Sequence, residues 1–522
     1  MATESKIAVP GLVSTNPATG EVVGSYACAS VADVHDAVET ARRAQPAWAA
    51  LGVHERMAII RRFRKLLNER CLEVAELISR ESGKPIPEAI GAEVLVVQDS
   101  AEFSVRHAVE VLRSERVPHS NPAMKTKRGE LVYEPHGVIG IISPWNYPFS
   151  IPSTETLAAL VLGNAVVLKP SELTPACALK LQSLLYEGGV PKGVLQVVLG
   201  EGQVGAALID SRIDKIIFTG SVATGRRVGV AAAQKFLPCV LELGGKDPFI
   251  VLDDADIDVA SSGAVWGAFV NAGQTCLSVE RCYVHRSIYD RFVKACAEKA
   301  KALKVGNGIE RDTDVGPMID GRQLKIVEDQ VADAVAKGAQ IVTGGRRLPE
   351  LGANFYAPTV LTGTTREMRV MNEETFGPLL PIIPFDSDEE AIAMANDSEF
   401  GLAASVWTNN RKRGEAMAKR IDAGTVMVND AIAGFGICEA PHGGFKASGV
   451  GRTHGIAGLR EMVRVRYIDV DRLVMKKPWW YGYKGDYREQ IHGFADMLFG
   501  AGIGRKIAGA LRSAGILTRK KL

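Results

Sequence analysis

Residues 138–168 read VIGIISPWNYPFSIPSTETLAALVLGNAVVL, and this stretch sets the fold class. Val138 to Ile142 is a short apolar run, Thr154 to Leu162 has helical spacing, and Ala165 to Leu168 is a second apolar run. Strands that are apolar on both faces belong to parallel sheets covered by helices on each side. The unit repeats downstream as helix Pro175 to Tyr186, strand Leu195 to Leu199, helix Val204 to Ile209, strand Lys215 to Phe218 and helix Gly225 to Gln234. The alternation resumes after Asp247 with Phe249 to Leu252 and continues to about Val428, which predicts a second α/β domain. Upstream, Glu55 to Leu77 repeats apolar residues every three or four positions, and a second helical pattern runs from Pro87 to about Leu112. Two stretches, Lys125 to Tyr133 and Met462 to Val474, fit neither domain. They read as strands expected to pair with each other or with another subunit.

A chain of 522 residues is longer than one core usually serves, and 46% hydrophobic with 23% charged residues is an ordinary globular composition. The most apolar stretch, His136 to Thr154, is interrupted by Pro144, Pro148 and Pro152, so no membrane-spanning helix is predicted. The start, MATESKIAVP, lacks the long apolar stretch and cleavage site of a secretory leader, and the expected location is cytoplasmic. Eight cysteines without a CxxC pair are expected to be reduced thiols rather than a disulfide frame, with no metal site. Lys476 to Leu522 holds ten basic residues against three acidic ones, inside a net charge of +2, so the remainder is net acidic. A nucleic-acid-binding body would carry its basic surface on the fold itself, and none is expected here.

Two segments are placed to bind phosphate. Gly200-Glu-Gly202-Gln-Val-Gly205 follows a strand and opens a helix, although no acid stands plainly at a strand end about twenty residues on to hold a ribose. In IIFTGSVATG, Gly220 and Ser221 end a strand and Gly225 lies in the first turn of the next helix, whose positive end attracts a pyrophosphate.

Three further segments carry chemistry: ISPWNYP (142–148), LELGGK (241–246) and GQTC (273–276). With KPSE (169–172), FTGS (218–221) and ETFGP (374–378), and in this order, they resemble the NAD(P)-dependent aldehyde dehydrogenase superfamily from about Asn16 to about Tyr467. The chain resembles bacterial branches acting on succinic semialdehyde and on carotenoid-derived aldehydes. The resemblance implies an α/β fold with a Rossmann-type cofactor domain, an α/β catalytic domain and a bridging β-element. It places the NAD-binding domain at 1–115 and 136–245, the catalytic domain at 246–461, the oligomerisation element at 116–135 and 462–475, and a basic aromatic tail at 476–522. A homodimer or homotetramer is expected.

A cysteine thiolate can add to a carbonyl and later leave from an acyl group, and Cys276 matches the family's nucleophile. The resemblance gives Asn146 the oxyanion, together with the Cys276 backbone N–H, and Glu242 the role of general base for hydrolysis. Glu242 stands between Leu241 and Leu243, where burial would raise its pKa toward neutrality. Lys169 and Glu172 match the residues that hold the adenosine ribose, and a carboxylate there repels a 2′-phosphate, so NAD is the expected cofactor. Glu374 and Phe376 resemble the pair at the nicotinamide ribose and ring, with Trp145 on the cofactor side as well. One departure is Thr453 after Gly451-Arg452, where many relatives carry a glutamate that assists proton release.

By position relative to the motifs, Tyr147, Ile151, Leu277, Phe435, Ile437 and His442 surround the aldehyde. None is cationic, so an apolar aldehyde (aliphatic, aromatic or terpenoid-like) is expected over a semialdehyde acid, which would want an arginine. The alternatives are a succinic-semialdehyde dehydrogenase, a CoA-acylating enzyme, which Glu242 argues against, and a non-catalytic binding protein on the same fold. In the tail, Trp479, Trp480, Tyr481 and Tyr483 precede Ile491, Phe494, Leu498, Ile503, Ile507 and Leu511 at near-helical spacing among basic residues. That pattern suits an anionic membrane surface or a neighbouring subunit, and its glycines are expected to weaken the helix.

Overall fold

The computed structural model describes residues 11–516 apart from 475, 476, 478, 482 and 484. Among these, 11–113 with 133–465 form one compact unit and 114–132 with 466–516 another.

In the larger unit the first α/β segment builds a six-stranded sheet. Its order is Gly449–Val450, Cys239–Glu242, Lys215–Thr219, Val138–Ile142, Ala165–Lys169 and Leu195–Val197. The last five strands are parallel, and Gly449–Val450 runs antiparallel to Cys239–Glu242. The segment expected to be catalytic therefore lends its final strand to the cofactor-side sheet. The second sheet has seven strands, parallel except for Gln340–Thr343 at one edge. Val138–Ile142, Ala165–Lys169 and Asp247–Val251 are buried along their whole length, as strands covered on both faces must be.

The helices depart from the sequence reading in places with local causes. Glu55 to Leu77 is not one helix but two, Val53–Glu69 and Cys71–Ser82, broken at Arg70 by its φ of −110° and ψ of 23°. The Pro87–Leu112 pattern becomes Ile86–Glu88, a π-helical turn at Ala89–Val94 and Leu95–Leu112, and Glu93 in the π turn is fully buried. Every side chain of Ser150–Val161 is buried, including Ser153, Thr154, Glu155 and Thr156, so its spacing alone did not reveal a polar interior.

In the smaller unit, Glu115–Val117 pairs with Lys127–Pro135, which neighbours Val463–Asp471 in a three-stranded sheet. The two isolated strands of the sequence thus pair with each other. The tail forms two helices, Tyr487–Phe499 and Ile503–Ser513, packed on one another. Its glycines act in two ways: Gly500 and Gly502, the latter at φ 82°, interrupt the helix as expected, whereas a Cβ at Gly493 would lie 2.6 Å from the Arg512 Cβ and one at Gly509 would overlap the facing backbone. Gly493 and Gly509 permit close helix packing, which Asp496 reinforces by pairing with Arg505 at 2.8 Å and with Arg512. No helix among the described residues is long and apolar enough to cross a membrane.

Candidate active site

The loop after the Val138–Ile142 strand, at the carboxyl end of the sheet, carries Trp145 and Asn146. It is pinned from beneath by charge. Lys84, fully buried, donates to the Asn146 carbonyl at 3.0 Å and pairs with buried Glu93. Glu93 in turn accepts from the Phe149 and Ser150 backbone N–H groups at 2.8 and 2.9 Å. The Asn146 side-chain amide donates to the Gln274 carbonyl at 3.1 Å. An amide NH₂ has two donors, so one remains for a ligand.

The cysteine loop is approached through three consecutive left-handed residues, Asn271, Ala272 and Gly273, with φ of 53°, 56° and 74°. Such strain persists only where the surroundings enforce it. Asn271 donates through its backbone to Glu88 at 2.9 Å and through its side chain to the Asn146 carbonyl at 3.0 Å. At Gly273 a Cβ would overlap the Gly377 carbonyl, which is the physical content of the glycine in GQTC. Burial, then the nearby Asp247, Glu374 and Glu242 carboxyls, push the Cys276 thiol up, so it rests protonated and needs a base.

Glu242 ends its strand with both carboxylate oxygens buried and no hydrogen-bond partner among the described residues. Its Oε2 lies 3.8 Å from His442 Nε2. Burial first, then Glu155, raise its pKa well above the ordinary range. His442 is held neutral, its pKa lowered to about 3 chiefly by burial. The two glycines of LELGGK keep the space open, since a Cβ at Gly244 would meet the Glu374 carboxylate at 2.5 Å and one at Gly245 the Cys276 carbonyl at 2.5 Å.

Asn146, Glu242 and Cys276 line one cavity, together with Trp145, Gly220, Ser221, Glu374, Phe376 and His442. A groove continues from it along Gly220, Ser221, Gly202 and Gly205 to Lys169 and Glu172, which form an ion pair of 3.5 Å. Both phosphate-binding segments thus border the same groove. Ser221 caps the Val222–Gln234 helix, whose N-terminus lies on that groove, and Gly225 is buried in its first turn. Gly202 has open space where a Cβ would stand, as a site for a bulky phosphate group requires. Glu374 accepts from the Gly245 N–H at 3.1 Å and its pKa is raised by burial to about 8. Phe376, at φ 52°, meets Trp145 edge to face at 5.5 Å. Its strained backbone is held by Glu280, which accepts from the Thr375 and Phe376 N–H groups at 2.8 and 3.0 Å while pairing with buried Lys246.

Tyr147, Ile151, Leu277, Phe435 and Ile437 line a funnel on the other side of Cys276, with Val96, Trp266, Val270 and Ile432. His442 meets Phe435 edge to face at 5.2 Å and lines the neighbouring catalytic cavity against Glu242. Among the described residues no lysine or arginine lines the funnel, and its charged residue is Glu88, whose pKa burial raises to about 7. Lys84, Glu93, Lys246 and Glu280 escaped the sequence reading, since nothing in a single lysine or glutamate marks it as buried until its partner is known. No cluster of metal-ligating side chains occurs among the described residues.

Known proteins resemble this chain along most of its length. The model described as "Aldehyde dehydrogenase family" matches residues 8–468. A protein of Mycolicibacterium smegmatis named "putative succinate-semialdehyde dehydrogenase (NADP(+))" is 40% identical over 88% of this chain and 89% of its own length. The 4,4′-diapolycopene aldehyde oxidase of a Methylomonas species is 38% identical over 94% of this chain and 91% of its own. The NAD+ complex of an aldehyde dehydrogenase from Bacillus cereus superposes with a TM-score of 0.85 at 36% identity, covering 88% of this chain and 93% of that one.

Proposed function

The chain belongs to the aldehyde dehydrogenase family, and on that premise we propose that it oxidises an apolar aldehyde to the free carboxylic acid through Cys276, Asn146 and Glu242. The observation that carries this reading is the convergence of the three on one cavity between a groove fit for a dinucleotide and an apolar funnel. The Cys276 sulfur adds to the aldehyde carbon, and the oxyanion that forms takes the spare Asn146 N–H and the Cys276 backbone N–H. Fixed donors of this kind typically contribute about 10²–10³ in rate. NAD(P), when bound, supplies the hydride acceptor, and Lys169, Glu172, Gly220, Ser221, Gly225, Trp145, Glu374 and Phe376 are the residues that hold it. Glu242 then removes a proton from water as its oxygen attacks the acyl carbon, and the C–S bond breaks to free the acid.

The cation-free funnel supports an apolar aldehyde, aliphatic, aromatic or terpenoid-like, in keeping with the name of the Methylomonas relative. Succinic semialdehyde, in the name of the mycobacterial relative, is the second reading. A screen of NADH formation across aldehydes of graded length and charge, with and without CoA, tests both. We expect kcat/KM to rise with apolar length and CoA to change nothing. Preference for succinic semialdehyde would replace the first reading, and an acyl-CoA product would remove hydrolysis by Glu242.

Glu172 on the groove supports NAD over NADP, although Arg227 and Lys235 border the same groove and the mycobacterial relative is named for NADP(+). We expect higher kcat/KM with NAD, and a narrower gap in Glu172→Gln because the charge that repels a 2′-phosphate is gone. A native enzyme faster with NADP would overturn this assignment.

Assembly as a homodimer or homotetramer through the three-stranded sheet is supported by the exposed apolar side chains of Val465, Tyr467 and Val470. Cytoplasmic residence, with peripheral contact to the inner face of the membrane, is supported by the tail. There Phe499, Ile503, Ile507 and Leu511 are largely exposed at helical spacing beside Arg505, Lys506 and Arg512. Arg519, Lys520 and Lys521 lie outside the described residues. Each basic residue near an anionic leaflet contributes about 1 kcal/mol, and the attraction fades beyond roughly 8 Å at physiological salt. The full chain is therefore expected to co-sediment with anionic liposomes at low salt and a chain ending at Val474 is not, with equal oxidation of a short soluble aldehyde. Equal sedimentation would remove the membrane contact, and lost assembly in the shorter chain would assign the tail to a neighbouring subunit.

A further inference from the structure

Glu155 is a buried ionisable group on the catalytic cavity that the chemistry above leaves unused. It lies in the first half of Ser150–Val161, a helix with no exposed side chain. Its Oε1 accepts from the Thr219 hydroxyl at 3.2 Å, while Oε2 is buried with no hydrogen-bond partner among the described residues. Glu155 borders the cavity that holds Glu242 and Cys276, and also a smaller cavity behind it lined by Ser100, Ser104, Cys438 and His454. Thr154 and Thr453 stand at the same boundary.

Three neighbouring groups here share one property. Both oxygens of Glu242, one of Glu155 and both ring nitrogens of His454 are buried without a protein partner. Native interiors rarely leave polar atoms so, and a cluster of them calls for a function that needs uncommitted acceptors. The proposed reaction has such a need. The Cys276 thiol loses a proton on attack and regains one when the C–S bond breaks, so the net proton of each turnover is the one taken from the hydrolytic water, which Glu242 must lose before it can act again. Glu155 borders both the catalytic cavity and the smaller cavity that His454 lines.

We propose that Glu155 carries the proton away from Glu242, taking it on its free oxygen and passing it toward the rear cavity on the His454 side. No bond other than O–H bonds forms or breaks in this step, and Glu155 returns to the carboxylate each cycle. The groups that face the pair are Thr219, His442, His454, the Arg452 guanidinium and the Thr453 backbone N–H, the last two of which favour ionised Glu242. Burial raises the Glu155 pKa to about 8 and raises that of Glu242 as well, so both carboxyls can hold a proton near neutral pH. His454, its pKa lowered by burial to about 4, is neutral and can accept at one nitrogen while donating at the other.

This inference rests on the proposed reaction, and the test separates the two. The native enzyme and Glu155→Gln, which keeps the shape and the Thr219 contact, are compared for the first-turnover release of NADH, for steady-state kcat and for the pH profile of kcat. We expect the NADH burst to keep its amplitude and rate in Glu155→Gln while kcat falls at least tenfold, with part of it recovered in Glu155→Asp. The rising limb of kcat should move to lower pH in Glu155→Gln, because the neighbouring carboxyl that raises Glu242 is gone. Thr219→Val, an independent probe should the first variant fold poorly, should move the limb to higher pH, because the hydroxyl hydrogen bond that lowers the Glu155 pKa is lost. Native kcat and pH profile in Glu155→Gln would overturn the proposal, as would burst and kcat falling together, the mark of a structural role. Absence of any NADH from the native enzyme with every aldehyde would overturn the proposed function instead.

Discussion

Cys276→Ser should reduce NAD(P)-dependent aldehyde oxidation to below about a hundredth of the native rate while dinucleotide binding is unchanged. A hundredfold loss corresponds to about 2.7 kcal/mol of lost transition-state stabilisation, and two effects exceed it together. An alkoxide is far harder to generate than a thiolate, and this site already opposes ionisation: burial and the Asp247, Glu374 and Glu242 carboxyls push even the thiol upward. A serine ester would also lose the good leaving group that makes the acyl-enzyme hydrolysable. The loop itself should survive, because its strained Asn271-Ala272-Gly273 approach is held by Glu88, Gln274 and the close contact with Gly377, none of which the substitution touches. Binding should persist since the Lys169–Glu172 and Ser221 groove lies elsewhere. NADH absorbance and dinucleotide titration check the two halves, and retention of more than about a hundredth of the activity would mean that the nucleophile is misassigned.

Glu242→Gln should release close to one NADH per site and then almost stop. Attack and hydride transfer precede hydrolysis, so the first turnover does not need this base, and the substitution even favours attack. Glu242 is one of the carboxyls that raise the thiol pKa, and removing its charge lowers the barrier to thiolate formation. Hydrolysis differs, because a buried carboxyl with both oxygens uncommitted is the group on the cavity best disposed to take a proton from water. Rapid-mixing absorbance separates burst from steady rate. If both vanish, Glu242 acts before hydride transfer, and the order proposed for the steps is wrong.

How much of this was legible in the chain differs by element. The short apolar runs beginning at Val138, Ala165 and Lys215 announced a parallel sheet, because a strand covered on both faces buries nearly every side chain. Gly273, Gly244 and Gly245 were legible as motif residues, but their reason was not: each yields to a backbone or carboxylate more than thirty positions away. The helix Glu55 to Leu77 was misread as continuous since hydrophobic spacing passes unchanged through Arg70. Gly500 and Gly502 do break the tail helix as read, but Gly509 was misread as weakening it, because propensity describes a lone helix and here two helices need room to touch.

Sequence by itself determined the alternation of strand and helix, the family and the residue types available for attack, oxyanion binding and proton removal. These depend on local periodicity and on short motifs, which neighbouring residues suffice to specify. Only the tertiary structure decided which charges are buried and with whom. Lys84 and Glu93 beneath the Asn146 loop, Lys246 and Glu280 beneath Phe376, and Glu155, which neighbours the Glu242 already read as buried, look like surface residues along the chain. Desolvation and pairing are properties of a residue's three-dimensional surroundings, and the groups that supply those surroundings come from distant parts of the sequence.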